Sequence, residues 1–196
     1  MLTIVPFTEE HIPAFTEAFN QLPHNHVWTA RWVRQKTVDD PSYDPELMRV
    51  AQVDGTSVGY FLGEAVQGAG WVKAFLVLPA YQRQGIGTTL FKTMEETFAA
   101  RGVAEINVGR GKPRYFLPGI DVRYTSAIVF LDRLGYTTDR RARVNMDVQL
   151  AGEDFGTADR EEALQEAGFE IRRATTEDEA GLVTLCKDEG HLGWIA

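Results

Sequence analysis

The sequence predicts an α/β fold built in layers, a mixed central sheet flanked by helices, and three observations carry that prediction. Two β-rich runs, Leu47 to Gln52 and Ser57 to Val66, flank Val53-Asp54-Gly55-Thr56, and an Asp-Gly turn between such runs favours a hairpin. A third run, Trp71 to Leu78, follows Gly68-Ala69-Gly70 and ends at Pro79, extending the hairpin into an antiparallel meander. From Thr88 to Arg101 the apolar residues fall at Leu90, Phe91, Met94 and Phe98 before Gly102, the rhythm of an amphipathic helix closed by a residue suited to the left-handed helix end.

The remaining elements fit the same layers. Leu2 to Val5 reads as a strand, and Thr8 precedes a helix with Ile12, Phe15, Ala18 and Phe19 on one face. Residues 21 to 46 hold Pro23, Pro41 and Pro45 around a short helix from Thr29 to Gln35. Val103 to Val108 reads as a strand, followed by an irregular stretch from Gly109 to Asp121, a helix from about Thr125 to Leu134 stopped by Gly135, and a final strand from Arg143 to Leu150. One domain over 1–150 results.

Residues 151–168 are acidic, with helical character from Ala158 to Glu166, and read as a linker. Phe169-Glu170-Ile171-Arg172-Arg173-Ala174-Thr175-Thr176-Glu177 then repeats the opening Leu2-Thr3-Ile4-Val5-Pro6-Phe7-Thr8-Glu9-Glu10. A short strand and a Thr-capped helix are expected, with Thr176 and Glu179 as a capping box. Residues 169–196 are therefore either the start of a second, partial repeat or a C-terminal packing segment. An apolar helix face there is expected to pack on the first domain or on another chain, so a homodimer is possible.

Composition excludes several classes of function. The chain has 196 residues, 44% of them hydrophobic, and a formal net charge of −8, which argues against a nucleic-acid partner. A local basic stretch runs through Arg110, Lys112, Arg114 and Arg123 and later Arg133, Arg140, Arg141 and Arg143; it reads equally as a solvated face or as attraction for an anionic ligand. No basic leader precedes an apolar run, and no stretch nears the roughly 20 apolar residues of a membrane span, so a cytoplasmic protein with no membrane partner is expected. A single cysteine, Cys186, leaves no internal disulfide and no cysteine zinc cluster. Its neighbours Leu182 and Leu185 place it on a packed helix face. No metal is expected.

The chemistry concentrates between Pro79 and Thr88. A strand ending at Pro79, the turn Gln82-Arg83-Gln84-Gly85-Ile86-Gly87 and a helix beginning near Thr88 aim backbone N–H groups and a helix N-terminus at one space, an anion site. Two glycines alone are compatible with an ordinary tight turn. A dinucleotide fingerprint would want glycine or alanine where Leu90 stands, and a Walker loop would want glycine where Ile106 stands and Ser or Thr where Pro113 follows Gly111-Lys112. Both fall short.

Val77-Leu78-Pro79-Ala80-Tyr81-Gln82-Arg83-Gln84-Gly85-Ile86-Gly87-Thr88-Thr89-Leu90 is similar to the acetyl-CoA signature of the GNAT superfamily of N-acetyltransferases. Downstream, Ala127-Ile128-Val129-Phe130-Leu131-Asp132-Arg133-Leu134-Gly135-Tyr136 resembles the family's helix ending in Leu-Gly-Phe or Leu-Gly-Tyr. The two matches span about residues 1 to 150. Pro113-Arg114-Tyr115-Phe116-Leu117-Pro118-Gly119-Ile120-Asp121 also resembles the Tyr-Phe-x-Pro-Gly segment of tandem-repeat bacterial acetyltransferases, whose first domain this chain resembles.

The resemblance implies a GNAT fold and acetyl-CoA as co-substrate. It implies main-chain contacts from Phe75, Leu76 and Val77 to the pantetheine arm, and a pyrophosphate held by the turn from Gln82 through Arg83, Gln84, Gly85 and Ile86 to Gly87 and Thr88. Acetyl would pass directly to a primary amine of a small molecule, an amino sugar or an aminated metabolite, with no covalent enzyme intermediate. A non-catalytic acyl-CoA-binding domain and a protein N-acetyltransferase are the alternatives. The sequence departs from the family at Leu131, where the usual acid tyrosine stands four residues before the helix-ending glycine, and at Tyr124, where asparagine is frequent. Tyr124 and Tyr115 are then the candidate acids, each with a packing role as the alternative. Glu64 is the candidate base, although an exposed strand carboxylate is the simpler expectation. His24 and His26 fall in the substrate loop without further metal ligands. Asp121 is available to a cationic amine, unless its loop is a structural lid with buried aromatics.

Overall fold

The computed structural model describes residues 1–22, 27–109, 116–138, 149–152 and 156–190. Two compact units divide the chain, Met1–Arg141 and Ala142–Ala196.

The first unit is organised by one sheet in the order β1 (Leu2–Pro6), β2 (Met48–Val53), β3 (Thr56–Val66), β4 (Ala69–Val77) and β5 (Glu105–Val108). The meander from β1 to β4 is antiparallel, and β5 joins β4 in parallel. Asp54 and Gly55 both take positive φ, 49° and 81°, the conformation of the hairpin turn whose twist matches its strands. The same device recurs at Gln67 and Gly68, so β4 begins two residues earlier than the glycine-rich stretch suggested.

Helices α1 (Ile12–Asn20) and α2 (Ala30–Lys36) cover one face of the sheet, and α3 (Ile86–Ala100) and α4 (Thr125–Arg133) the other. On the first face Phe7, Phe15, Phe19, Trp28, Tyr60 and Phe116 form an aromatic core, with Phe15 and Tyr60 edge to face at 5.3 Å. On the second, Phe61 and Phe75 meet Phe91 edge to face at 5.1 and 4.6 Å. Such contacts add about 0.5–1.5 kcal/mol beyond area burial. Strand β5 is shorter than Val103 to Val108, and of the expected last strand residues 143–148 lie outside the described ones while 149–150 are not strand.

The second unit holds α5 (Ala158–Glu166) and α6 (Glu179–Asp188). The expected capping box sits one residue earlier, where the Thr175 N–H donates to Asp178 Oδ2 at 2.7 Å ahead of a short 3₁₀ turn. In the first unit Thr8 likewise opens a 3₁₀ turn, Glu9–His11, that leads into α1, its N–H donating to His11 Nδ1 at 3.0 Å. Phe169 to Ala174, expected as a strand, is irregular, and Cys186 is half-buried rather than core. No described helix is long and apolar enough to cross a membrane.

Candidate active site

The glycine turn is built as an anion cradle. A 3₁₀ turn, Pro79–Tyr81, leads from β4, and Gln82 folds back so that its Nε2 donates to the Val77 carbonyl at 2.9 Å. Arg83 and Gly85 then adopt left-handed φ values of 62° and 83°. Glycine does this freely, whereas the conformation costs an L-residue about 1–2 kcal/mol, so the arginine is held there by the turn. Gly85 is the N-cap of α3, and the helical ladder starts with Thr89 N–H to Gly85 O at 2.9 Å. The amides of Ile86, Gly87 and Thr88 thus lack acceptors within the helix, and its first turn carries no acidic residue.

The turn opens on a cleft of about 490 Å³ between β4, the N-terminal end of α3 and α4. The cleft exists because β4 and β5 part company. Their pairing runs from Ala69 with Glu105 to Val72 with Val108, and the Gly109 N–H makes a last bond to Val72 O at 2.8 Å. Beyond Val72 the strand runs on through Phe75, Leu76 and Val77, which line the gap with no β5 beside them. Gly109, at φ 80°, also lies against the backbone of Gly119, where a Cβ would come within 2.8 Å of the Gly119 Cα. The glycine of the Tyr-Phe-x-Pro-Gly segment therefore packs on the end of β5. Phe116 from the same segment plugs the aromatic core at 4% exposure, which favours the structural account of this loop.

All of the proposed cofactor-contact residues except Gln84 and Ile86 fall on this cleft: Phe75 to Val77, Gln82, Arg83, Gly85, Gly87 and Thr88 line it. Gln84 instead donates to the Ala80 carbonyl, and the Ile86 side chain is buried in the core. Apolar walls are added by Phe19, Leu22, Leu117 and Ile120.

Tyr124 caps α4 and lines the cleft, its hydroxyl buried and without a hydrogen-bond partner among the described residues. Burial, helped by the charge of Asp121, pushes its pKa above the ordinary value, so the phenol stays protonated. Leu131 is 5% exposed in the core, an apolar wall and not a proton donor. The tyrosine of the Leu-Gly-Tyr ending, Tyr136, donates to Glu95 Oε1 at 2.9 Å and packs edge to face on Phe91, tying the end of α4 to α3.

Two carboxylates sit differently from expectation. Glu64 is not exposed; it is fully buried and does not line the cleft. It lies beneath β4 with Lys73, Asp40 and Ser42, a cluster whose signal in the sequence was a lysine inside the apolar run Trp71-Val72-Lys73-Ala74-Phe75-Leu76-Val77. Burial pushes the Glu64 pKa above its ordinary value of 4.5 despite the neighbouring ammonium. Asp121 is engaged by Arg123, 2.6 Å from its Nη2, which holds the carboxyl down at about 2. Tyr115, His24, His26, Arg110, Lys112, Arg114, Arg140, Arg141 and Arg143 lie outside the described residues. No group of His, Cys, Asp and Glu suited to a metal ion occurs among the described residues.

With this geometry in place, the family model described as Acetyltransferase (GNAT) family matches residues 5–113. The chain belongs to the GNAT acetyltransferase family. A relative from Yersinia pestis named acetyltransferase is 34% identical over 67 residues, 34% of this chain and 48% of the relative. The chain spans about half the length of the curated relatives it matches. Among solved structures, this GNAT chain shares its fold with the ribosomal-protein-S18-alanine N-acetyltransferase of Escherichia coli, with TM-score 0.55, 21% identity and 69% and 77% of the two chains covered. It shares it also with the glucosamine N-acetyltransferase region of a fungal multi-domain β-N-acetylglucosaminidase, with TM-score 0.60, 21% identity and 72% and 17% covered.

Proposed function

We propose that the chain is an N-acetyltransferase that moves the acetyl group of acetyl-CoA directly to a primary amine of a small molecule, an amino sugar or an aminated metabolite. The observation that carries this reading is the cleft, whose lining combines the unpaired amide end of α3 with the unpartnered, protonated Tyr124 and apolar walls. The residues fit the cofactor on their own terms. Amides at the start of α3 complement a pyrophosphate, and the open edge of β4 offers main-chain groups to the amides of a pantetheine arm.

In this mechanism the neutral amine attacks the thioester carbonyl carbon. The C–N bond forms, the C–S bond breaks, and the departing thiolate takes the proton of the Tyr124 hydroxyl, which burial keeps available. The nitrogen releases its surplus proton to solvent, and Tyr124 is reprotonated in turn. Glu64, being closed off from the cleft, has no direct path to that nitrogen.

Thiol release from acetyl-CoA, measured across amino sugars, aliphatic amines and an N-terminal alanine peptide, tests the reading. Turnover with a small amine is expected. Tight CoA binding with no acetylated product from any of them would leave a non-catalytic acyl-CoA-binding domain, and turnover confined to the peptide would make it a protein N-acetyltransferase.

A further inference from the structure

The parting of β4 from β5 coincides with a break in the pairing on the other side of β4. Leu62 pairs with Ala74 and Gly63 with Val72, so Lys73 is an extra residue with no partner in the register. This is a β-bulge, which bends and re-aims a strand. Gly63 opposite it has no room for a side chain, since a Cβ would lie 2.9 Å from the Phe61 ring and 3.0 Å from the Leu47 carbonyl. The strand therefore bulges at the residue where it leaves β5 and begins to line the cleft.

The bulged residue carries a fully buried ammonium. Lys73 Nζ donates to Asp40 Oδ2 at 2.6 Å and lies 3.4 Å from Glu64 Oε2, with the side chains of all three residues closed off from solvent. Ser42 Oγ stands 2.8 Å from Asp40 Oδ1 and 2.8 Å from Glu64 Oε2. One hydroxyl hydrogen serves only one of these contacts, so a carboxyl proton supplies the other. Charge balance asks for the same proton, because a single ammonium faces two buried carboxyls. The proton belongs on Glu64, whose Oε1 has no partner among the described residues, a smaller penalty for a neutral acid than for an anion. Asp40, where burial is outweighed by the Lys73 and Ser42 hydrogen bonds, is the anion.

We propose that Lys73 is a positioning residue for acetyl transfer, its ammonium anchored by Asp40 and Glu64 so as to pin the bulge that sets the main chain of β4 against the thioester. The proposal rests on the acetyltransferase reading. A buried ion pair is weak evidence for added stability, because an apolar replacement is often as stable; its cost is accounted for here by fixing one backbone distortion at the mouth of the cleft. No member of the cluster but Lys73 borders the cleft, so the action is through the strand.

The test is the carbonyl stretching frequency of bound acetyl-CoA, read by infrared difference spectroscopy, alongside the CoA dissociation constant from calorimetry. Lys73→Met alone would strand the Asp40 anion, so it is combined with Asp40→Asn, which leaves no unpaired charge. In the wild type the bound carbonyl is expected at lower frequency than free acetyl-CoA. In the double variant roughly half or more of that displacement should vanish while CoA still binds through the untouched glycine turn. Asp40→Asn alone, an isosteric change outside the strand, should shift the band in the same direction by less, and decides the matter if the double variant does not bind CoA. Glu64→Gln, which imitates the neutral acid, should leave the band in place. An unchanged carbonyl frequency in Asp40→Asn and in the double variant overturns the proposal and leaves the acetyltransferase reading standing. A wild type that binds no acetyl-CoA overturns both.

Discussion

In the proposed reaction the cleft would recognise donor and acceptor by different means. At the donor end, the turn from Gln82 to Thr88 offers main-chain amides, and its side chains matter chiefly for the backbone shape they permit. For the acceptor, Phe19, Leu22, Leu117 and Tyr124 line the cleft from separate elements, and what they would offer is the side chains themselves. A site made of backbone tolerates wide sequence change provided its shape is kept. A site made of side chains changes with every substitution.

Blocking the donor end should have the largest effect. At Gly87 a Cβ would stand 3.5 Å from the Phe130 ring and 3.7 Å from Phe75, ordinary contact for a methyl but no space for an indole. Gly87→Trp should weaken CoA binding by about 100-fold or more, on the order of 3 kcal/mol, with circular dichroism unchanged. Gly87→Ala should bind CoA within about threefold of wild type and gain up to about 1 kcal/mol of helix stability. Retained binding by the tryptophan variant would place the pyrophosphate elsewhere.

The chemical step comes next. Tyr124→Phe removes one hydroxyl that has no structural partner among the described residues, so folding should not suffer. If the phenol protonates the thiolate, kcat should fall by about 100-fold, the low end of general acid catalysis, with CoA affinity within about twofold. An unchanged kcat would remove Tyr124 as the acid and shift attention to Tyr115.

The same contrast explains what was legible in the sequence. The donor end follows from local rules: a strand stopped by Pro79, glycine where φ must be positive, and an apolar helical rhythm. These rules also placed the meander and α5. Neighbouring-residue logic fails where distant segments meet. Glu64 and Lys73 lie within two adjacent strands, but their alternation is broken by the bulge, and Asp40 comes from a turn 33 residues before Lys73. Period two puts Glu64 on the strand face of Tyr60 and Leu62, but nothing local shows that a turn carrying Asp40 and Ser42 encloses its carboxyl there. The capping box of the second unit shows a smaller version of the problem, since Thr175 and Thr176 stand side by side with acids three residues on, and local geometry chose the first.

A moderate effect is expected beneath β4. The Glu64 carboxyl, facing Lys73, Asp40 and Ser42, has a raised pKa in the folded chain. Unfolded, it ionises near 4.5, so the folded state is fully favoured below that pH and loses stability as pH climbs from 4.5 through the raised folded value. Glu64→Gln has no proton to lose. Its denaturation midpoint relative to wild type should rise as pH climbs from 4.5 until the raised folded value is passed, by the equivalent of about 1.4 kcal/mol for each pH unit of that window. A flat difference would mean that Glu64 ionises in place.

The smallest effect should be at Asp121, the carboxylate the sequence offers to a cationic amine. Arg123 grips it through Nε at 3.0 and 3.1 Å, through Nη2 at 2.6 Å, and through its own backbone N–H at 2.9 Å. An arriving ammonium would have to compete with a guanidinium two residues away that is always charged and geometrically matched to the carboxylate. Asp121→Asn should therefore alter the acceptor KM by less than about twofold. A rise of about tenfold in KM with kcat unchanged would show that the amine displaces Arg123, and would give the acceptor end one charged contact to set beside its apolar walls.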